Sequence, residues 1–480
     1  MNRKIVISYL MQRILVGIIE NDDYVEFLVE QSNYKSIAGN IYKGVIKDVS
    51  PALQCAFVDI GLKKFGFLHI NEIIDRYSKD EKLQIKQPIE KLLKKNDVVM
   101  AQVLKENYDD KGPQLTTKFS IFGRRCIYLP TKKHYGFSKK ITDKKKCDDI
   151  LDYLKTTEFN ADGFIIRSAA ENASFEEVYD ELKKLKSKYF KILETFKNCK
   201  QLELIYSPND VIELLLRDYL NEDTEIYCDS EYYLKILEKR LTNFEKCKLI
   251  YSPIKNESGV LNIFSEYQKT LKTKVWLKCG GYIKIEETEA LTAIDINTGK
   301  NVDSKKCEDT IYATNYQAMI EIARQIRLRN LSGIIIVDVL NMLPIEKINI
   351  LIDTLKNELA KDKIKNIIYY TLETGILQIL RRRIKKSISQ ILLEDCECCG
   401  GSGKSHTIET QIINIEQKIR IALDTQKKKQ TFTIYLSKYL FDSFINNNIK
   451  DKWEEFYNIK IILLKNENYF KLQYEVIEKN

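Results

Sequence analysis

Residues Gly281-Tyr-Ile-Lys-Ile-Glu-Glu-Thr-Glu-Ala-Leu-Thr-Ala-Ile-Asp295-Ile-Asn297-Thr-Gly299 contain an apolar strand that runs through Asp295 into an Asn-x-Gly turn. Further on, Gly333-Ile-Ile-Ile-Val-Asp338 is a second apolar strand with the same ending. Between them Tyr312, Tyr316, Met319, Ala323 and Ile326 recur at helical spacing and predict one apolar helix stripe. A strand, a covering helix and a strand set Asp295 and Asp338 at comparable ends of one sheet. A carboxylate at the end of a buried strand is costly unless something pairs with it, and two close together repel. A divalent cation resolves both problems. Mg²⁺ takes oxygen ligands and keeps several waters, so Asp295, Asp338 and the amide oxygen of Asn297 make an open Mg²⁺ site. The plainer reading makes each aspartate a turn or helix-capping residue.

Composition narrows the chemistry. The 480 residues are 44% hydrophobic and 30% charged, enough for about three domains with sizeable cores, and this excludes a wholly disordered chain. No apolar run reaches the ~18 to 20 residues of a membrane span. The start, Met1-Asn-Arg-Lys followed by Ile-Val-Ile-Ser, lacks the pattern of a signal or transit peptide, so we expect the chain to work where it is made. The net charge of +9 is mild. Three histidines, His69, His134 and His406, argue against an acid–base pair of imidazoles. A phosphodiester hydrolase without imidazole needs a metal to generate its nucleophile. Eleven cysteines in a chain of this length are expected to stay reduced.

Lys4 to Ile19 reads as a hairpin. From Asn40, short alternating runs at Ile41 to Val49, Gln54 to Asp59, Phe65 to His69, Val98 to Leu104 and Gln114 to Phe119 predict a small five-stranded barrel. Asp75 to Asn96 interrupts it as a surface helix or loop. Phe175 to Cys199 is a Lys/Glu-laced helix, and Gly280-Gly281 signals a hairpin. In the barrel, Phe57 and Phe67 alternate with small or polar residues, which suits base stacking on an open face as well as filling the barrel. Lys43, Lys63, Lys64 and Lys111 are candidates for neutralising phosphates. Arg324, Arg327 and Arg329, with Arg381-Arg-Arg-Ile-Lys385-Lys386, read as phosphate contacts beside the carboxylates, or else as solvated helix faces.

Cys396-x-x-Cys399 has the spacing of a metal chelate, but Zn²⁺ wants four ligands and this pair supplies two. A zinc shared by two chains across a two-fold axis completes Cys₄. An intrachain site adding Cys398 and His406, or no metal at all, are the alternatives. Gly401-Ser-Gly-Lys404-Ser405 lacks the first glycine and the leading strand of a phosphate-binding loop.

Together these stretches resemble the ribonuclease E/G family of endoribonucleases over nearly the whole chain. The resemblance is carried by Asn40-Ile-Tyr-Lys-Gly-Val, Ala56-Phe-Val-Asp-Ile-Gly, Lys111-Gly-Pro-Gln-Leu-Thr-Thr, the Gly281 to Asn297 stretch, Glu321-Ile-Ala-Arg-Gln-Ile-Arg-Leu-Arg-Asn and the Cys-x-x-Cys-x-Gly-x-Gly element. The length resembles the short, ribonuclease G-like form. The resemblance implies an α+β multidomain fold. An RNase H-like scaffold (residues 1–38 and 207–275) would carry an inserted OB-fold barrel (39–119) and a 5′-sensor region (120–206). A DNase I-like catalytic subdomain (276–390), a zinc-link (391–406) and a small C-terminal domain (407–480) would follow.

It further implies that Asp295 and Asp338 hold the catalytic Mg²⁺ and that Asn297 orients the scissile phosphate. A metal-activated water would then leave a 5′-phosphate and a 3′-hydroxyl. Arg167 and Ser168 match the pocket for a 5′-monophosphate, with Ser168 where the family has threonine, and an arginine fork with a hydroxyl suits that group. Phe57, Phe67 and Lys111 match the RNA-contacting barrel face. Cys396 and Cys399 match a Zn²⁺ link between protomers of a homodimer or homotetramer. Three positions depart from the family's pattern: Asn341 where a further acidic residue is usual, Glu397 where proline is usual, and Cys398, which is additional. The expected substrate is single-stranded, A/U-rich RNA in mRNA decay and rRNA processing. The rival is a non-catalytic RNA-binding or ribosome-assembly factor. A Lys-, Ile- and Asn-rich composition suits a plastid (chloroplast) stroma, with a bacterial cytoplasm as the other expectation.

Overall fold

In the computed structural model the described residues are 3–479 apart from 11–12, 31–35, 74–86, 107–110, 139–140, 142, 172, 209, 221–222, 242–246, 254–261, 300–306, 341–344, 372–374, 397–398, 400, 402, 426–430, 468 and 470–472. They divide into two compact units, Met1–Leu392 and Leu393–Asn480.

The first unit opens with three antiparallel strands, β1 (Arg3–Leu10), β2 (Arg13–Glu20) and β3 (Asp23–Glu30). Asn21 and Asp22 both take positive φ, which gives the β2–β3 turn the twist that joins antiparallel strands. These strands are buried on both faces, which explains their nearly unbroken apolar runs. Ile5, Ile7, Val16 and Ile18 pack on the helices Val211–Asp218 and Glu231–Arg240. Val6, Leu15, Ile19 and Phe27 face Ile263, Tyr267 and Leu328.

The barrel consists of β4 (Ile41–Ser50), β5 (Cys55–Asp59), β6 (Gly66–His69), β7 (Val98–Lys105) and β8 (Gln114–Thr116), and it closes through β4–β7 pairing. Ile46, Ala56, Val58, Leu68, Val103 and Leu115 fill it. Next, β9 (Ile121–Phe122), β10 (Cys126–Leu129), β11 (Tyr135–Phe137) and β12 (Gly163–Ile166) form a small sheet backed by the helix Phe175–Asn198. A capping box at Ser174 and Glu177 starts that helix, satisfying two backbone donors reciprocally. The chain then returns: β13 (Leu204–Tyr206) pairs with β4, while β14 (Glu225–Cys228) and β15 (Lys248–Tyr251) extend the first sheet. Within it β14 runs parallel to β1, Lys4 level with Glu225.

The third large sheet comprises β16 (Lys274–Trp276), β17 (Tyr282–Glu287), β18 (Leu291–Asn297), β19 (Gly333–Asp338), β20 (Asn366–Thr371) and β21 (Ile376–Arg381), in the order β16-β17-β18-β19-β21-β20. Its alternating pattern sorts the residues onto two faces. Ile283, Ile285, Ile294, Ile296, Ile335, Val337, Leu377 and Ile379 point inward against the helices Cys307–Leu328 and Ile345–Leu359. Each buried isoleucine contributes about 1.5–3 kcal/mol. The helix stripe expected through Tyr316 is shifted. Ala318, Met319, Ile322, Ala323 and Ile326 form the buried face, while Tyr316 is 39% exposed. The opposite face of the sheet looks outward, and it carries the aspartates.

The second unit packs β22 (Thr431–Leu436), β23 (Lys460–Lys465) and β24 (Tyr474–Lys479) on the helices Ile408–Thr425, Lys438–Asn446 and Ile449–Tyr457 around Phe432, Phe444 and Trp453. Among the described residues no helix is long and apolar enough to cross a membrane.

Candidate active site and RNA-binding face

Strands β18 and β19 run parallel with Asp295 level with Asp338. Residues level with one another on paired strands share a face and stand one strand spacing apart, about 4.8 Å. Both aspartates lie on the exposed face. The expectation that burial would demand a partner for them is therefore corrected: water solvates both carboxylates, and what remains is their mutual repulsion. Asn297, two residues on and on the same face, donates its Nδ2 to Asp295 Oδ2 at 2.7 Å. Lys284 stands opposite Asp295 on β17 and pairs with Glu286 at 2.7 Å. Glu286 first, and Asp295 after it, raise the Lys284 ammonium above its usual range.

The turn that follows needs glycine. Gly299 has φ +72°, and a Cβ there would meet the Gly280 carbonyl oxygen at 2.5 Å. The tight approach sets the Asn297 turn beside the β16–β17 hairpin. Two adjacent carboxylates and an amide form an oxygen donor set suited to Mg²⁺ with several waters. Among the described residues no three His, Cys, Asp or Glu side chains gather into a ligand group. Asn341 lies outside the described residues.

The arginines expected to contact phosphate do other work. Arg327, nearly buried, pairs with Glu20 at 3.2 Å, and Arg3 reaches the same carboxylate at 2.8 Å. Arg324 pairs with Glu321 at 2.6 Å and donates to the Tyr24 carbonyl. Arg329 donates to Gln325 and to the Lys272 carbonyl, and burial pulls its guanidinium down to about 10. Arg381 pairs with Asp362 at 2.7 Å and donates to the Leu331 carbonyl. Arg324 and Arg327 join the helix Cys307–Leu328 to the first sheet, while Arg329 and Arg381 brace the third large sheet and its surroundings. Of that cluster Arg382 remains exposed. Lys43 is likewise structural: its ammonium donates to the Phe196 and Cys199 carbonyls, closing the end of the helix Phe175–Asn198.

On the barrel, Phe57 and Phe67 are level with one another on β5 and β6, both half-buried on the outer face, ring centroids 6.2 Å apart at 69°. His69 extends the same face, 6.3 Å from Phe67. Sequence reading passed over His69, although the period-2 step from Phe67 places it there. Lys111 is exposed. The next residue, Gly112, runs so close to the Phe65 carbonyl that a Cβ would overlap it.

Arg167 is half-buried and Ser168 exposed. The Arg167 guanidinium donates to the Gly123 carbonyl at 2.6 Å and to Asp218 at 2.7 Å. Arg217 holds the other oxygen of Asp218 at 2.8 Å. Burial pushes the Asp218 carboxyl up, but Arg217 and Arg167 outweigh it and hold the group at about 2.

Cys396 is exposed and Cys399 half-buried in a turn closed by Cys399 N–H donating to the Cys396 carbonyl at 3.2 Å. The Gly403 N–H donates to Cys399 Sγ at 3.3 Å. Cys398 lies outside the described residues. Among those described, His406 does not gather with the pair into a three-ligand group.

The described residues thus hold a closed barrel and a sheet with two level carboxylates on its exposed face. Residues 35–118 match the model described as S1 RNA binding domain, and residues 120–384 match that of the Ribonuclease E/G family. The chain is 32% identical over 467 residues to ribonuclease G of Haemophilus influenzae, covering 92% of this chain and 95% of that protein. Ribonuclease G of Escherichia coli is 30% identical over 469 residues, with the same coverage of each chain. Ribonuclease E of Haemophilus influenzae is 29% identical over 480 residues, covering 97% of this chain and 51% of that longer protein. The protein is an endoribonuclease, a hydrolase of RNA phosphodiester bonds. It belongs to the ribonuclease E/G family, and the reading as a non-catalytic RNA-binding factor is set aside.

Proposed function

We propose that this endoribonuclease is Mg²⁺-dependent, cuts single-stranded, A/U-rich RNA, and leaves 5′-phosphate and 3′-hydroxyl ends. The observation that carries the reading is the level placement of Asp295 and Asp338 on one exposed face. The two carboxylates would hold the ion, with Asn297 keeping Asp295 in position through its amide. Bound there, Mg²⁺ supplies a Lewis acid for the phosphate and lowers the cost of deprotonating water. Phe57 and Phe67 would stack bases, and Lys111 would neutralise phosphate. Arg167 and Ser168 would receive a 5′-monophosphate, which must compete with Asp218 for the Arg167 fork.

Cys396 and Cys399 would hold half of a Zn²⁺ site that a second copy completes, giving a homodimer or a homotetramer. The Gly403 N–H already points at Cys399 Sγ, a contact that a ligating sulfur can keep.

The test is cleavage of a 5′-labelled single-stranded oligonucleotide with and without Mg²⁺. Asp295→Asn and Asp338→Asn should each abolish cutting while leaving RNA binding in place. Unchanged cutting by either variant removes the mechanism.

A further inference from the structure

The exposed face of the catalytic sheet carries more than the aspartates. Across the register Lys274 of β16 stands opposite Lys284 of β17, Lys284 opposite Asp295 of β18, and Asp295 level with Asp338 of β19. Trp276, Tyr282 and Asn297 form the adjoining row. With strands about 4.8 Å apart, Trp276 stands roughly 10 Å from Asn297. The Trp276 and Tyr282 rings meet edge to face, centroids 5.4 Å apart at 65°. The Lys274 ammonium lies 4.0 Å from the Trp276 centroid and 3.6 Å from that of Tyr282.

An indole gains a great deal from burial, yet Trp276 is 65% exposed. The chain's other tryptophan, Trp453, is 8% exposed in the core of the second unit. So a large indole, held by a neighbouring ring and with the Lys274 ammonium over it, is offered to solvent in the row that ends at Asn297.

We propose that Trp276, Tyr282 and Lys274 form a base-stacking subsite for an unpaired nucleotide beside the scissile phosphate of the RNA. The occupant follows from the chemistry of the patch. Every base has a π-face that stacks on an aromatic side chain, and an ammonium beside it suits the backbone phosphate. The patch also runs without a break into the row holding the carboxylates, so a strand placed for cutting there must pass over it or leave in the opposite direction. Because stacking grows with ring area, the subsite favours purines over pyrimidines at that one nucleotide. The inference rests on the proposed cutting site at Asp295 and Asp338.

The experiment uses the full-length chain carrying Asp338→Asn, with a single-stranded RNA oligonucleotide whose binding is followed independently by anisotropy. Saturating RNA should lower Trp276 emission and reduce its quenching by acrylamide about twofold. The change should vanish in Trp276→Phe, which keeps a ring but loses the indole. A change that persists in Trp276→Phe, or none at saturation, overturns the subsite. In cleavage assays without the Asp338 substitution, Trp276→Ala should lower kcat/KM about tenfold, and Trp276→Phe should recover most of that loss. An abasic nucleotide beside the cut should impair the unsubstituted enzyme at one position and cost Trp276→Ala nothing further there. Equal sensitivity of the two overturns the proposal. If Asp295→Asn cuts normally, the carboxylate reading fails, and the fluorescence still decides the stacking.

Discussion

Asn297 holds Asp295. The 2.7 Å bond from its side-chain amide to Asp295 Oδ2 joins two residues on one face of β18, at the point where the strand gives way to the turn at Gly299. A carboxylate ligand is useful only in the right orientation, and its hydrogen-bond partner sets that orientation.

Replacing Asn297 with alanine should therefore lower kcat about 10- to 100-fold. RNA affinity should stay within about twofold. Single-turnover cleavage and equilibrium binding, measured on one preparation, check the split. A loss confined to binding would place Asn297 on the RNA rather than on Asp295.

The half-buried pair Phe57 and Phe67 should behave differently. Phe57→Ala or Phe67→Ala should weaken single-stranded RNA binding by about 1–3 kcal/mol, the range for a lost base stack. Thermal stability should change little, because the rings sit outside the barrel core formed by Val58 and Leu68. Anisotropy titrations and melting curves together test this.

The Asp218 site predicts a pH effect on stability. Its folded-state carboxyl titrates at about 2 against a usual 3.8. Such a depressed group stabilises the fold above pH ~4, and the contribution is lost as pH falls from there towards 2. Its size is on the order of 2 kcal/mol. Asp218→Asn should lose that stability at pH 7, and its difference from the unsubstituted protein should shrink on acidification. Denaturant unfolding at pH 7, 4 and 2.5 measures it. A constant difference across that range would show that the pairing with Arg167 and Arg217 carries no linkage.

Removing a structural arginine should not mimic loss of an RNA contact. Arg381→Ala leaves Asp362 buried without its cation, a change worth about 3–5 kcal/mol. The slope of RNA affinity against salt should be unaltered, since no phosphate contact is lost. A shallower slope would return Arg381 to the RNA.

The shared-zinc proposal expects Cys396→Ser, or a zinc chelator, to give smaller species on sizing chromatography than the untreated protein. Retained size under both treatments would remove the shared-zinc proposal.

What the sequence made legible follows from periodicity. The strand–helix–strand reading around Asp295 and Asp338 survives because alternation and helical spacing are local properties of the chain. The barrel strands were legible for the same reason, Cys55–Asp59 emerging one residue shorter at its start than expected. Pairing across distance was not legible. Nothing near Arg327 announces that Glu20 will meet it, so a buried ion pair looked like a phosphate-binding cluster. The same limit hid the Lys43 ammonium on the Phe196 and Cys199 carbonyls. Trp276 was visible as a residue, but its neighbours exist only through register: Tyr282 across a hairpin, Asn297 one strand further.

The parallel partnership of β1 with β14 ties the first strand to one more than two hundred residues away. A ribosome adding 5–20 residues each second completes β14 roughly ten to forty seconds after β1 has emerged. Over that interval Ile5 and Ile7 lack the strand that will flank them, and an open strand edge invites pairing with other chains. The order of synthesis thus leaves one edge of β1 without its partner long before β18 and β19 have been made.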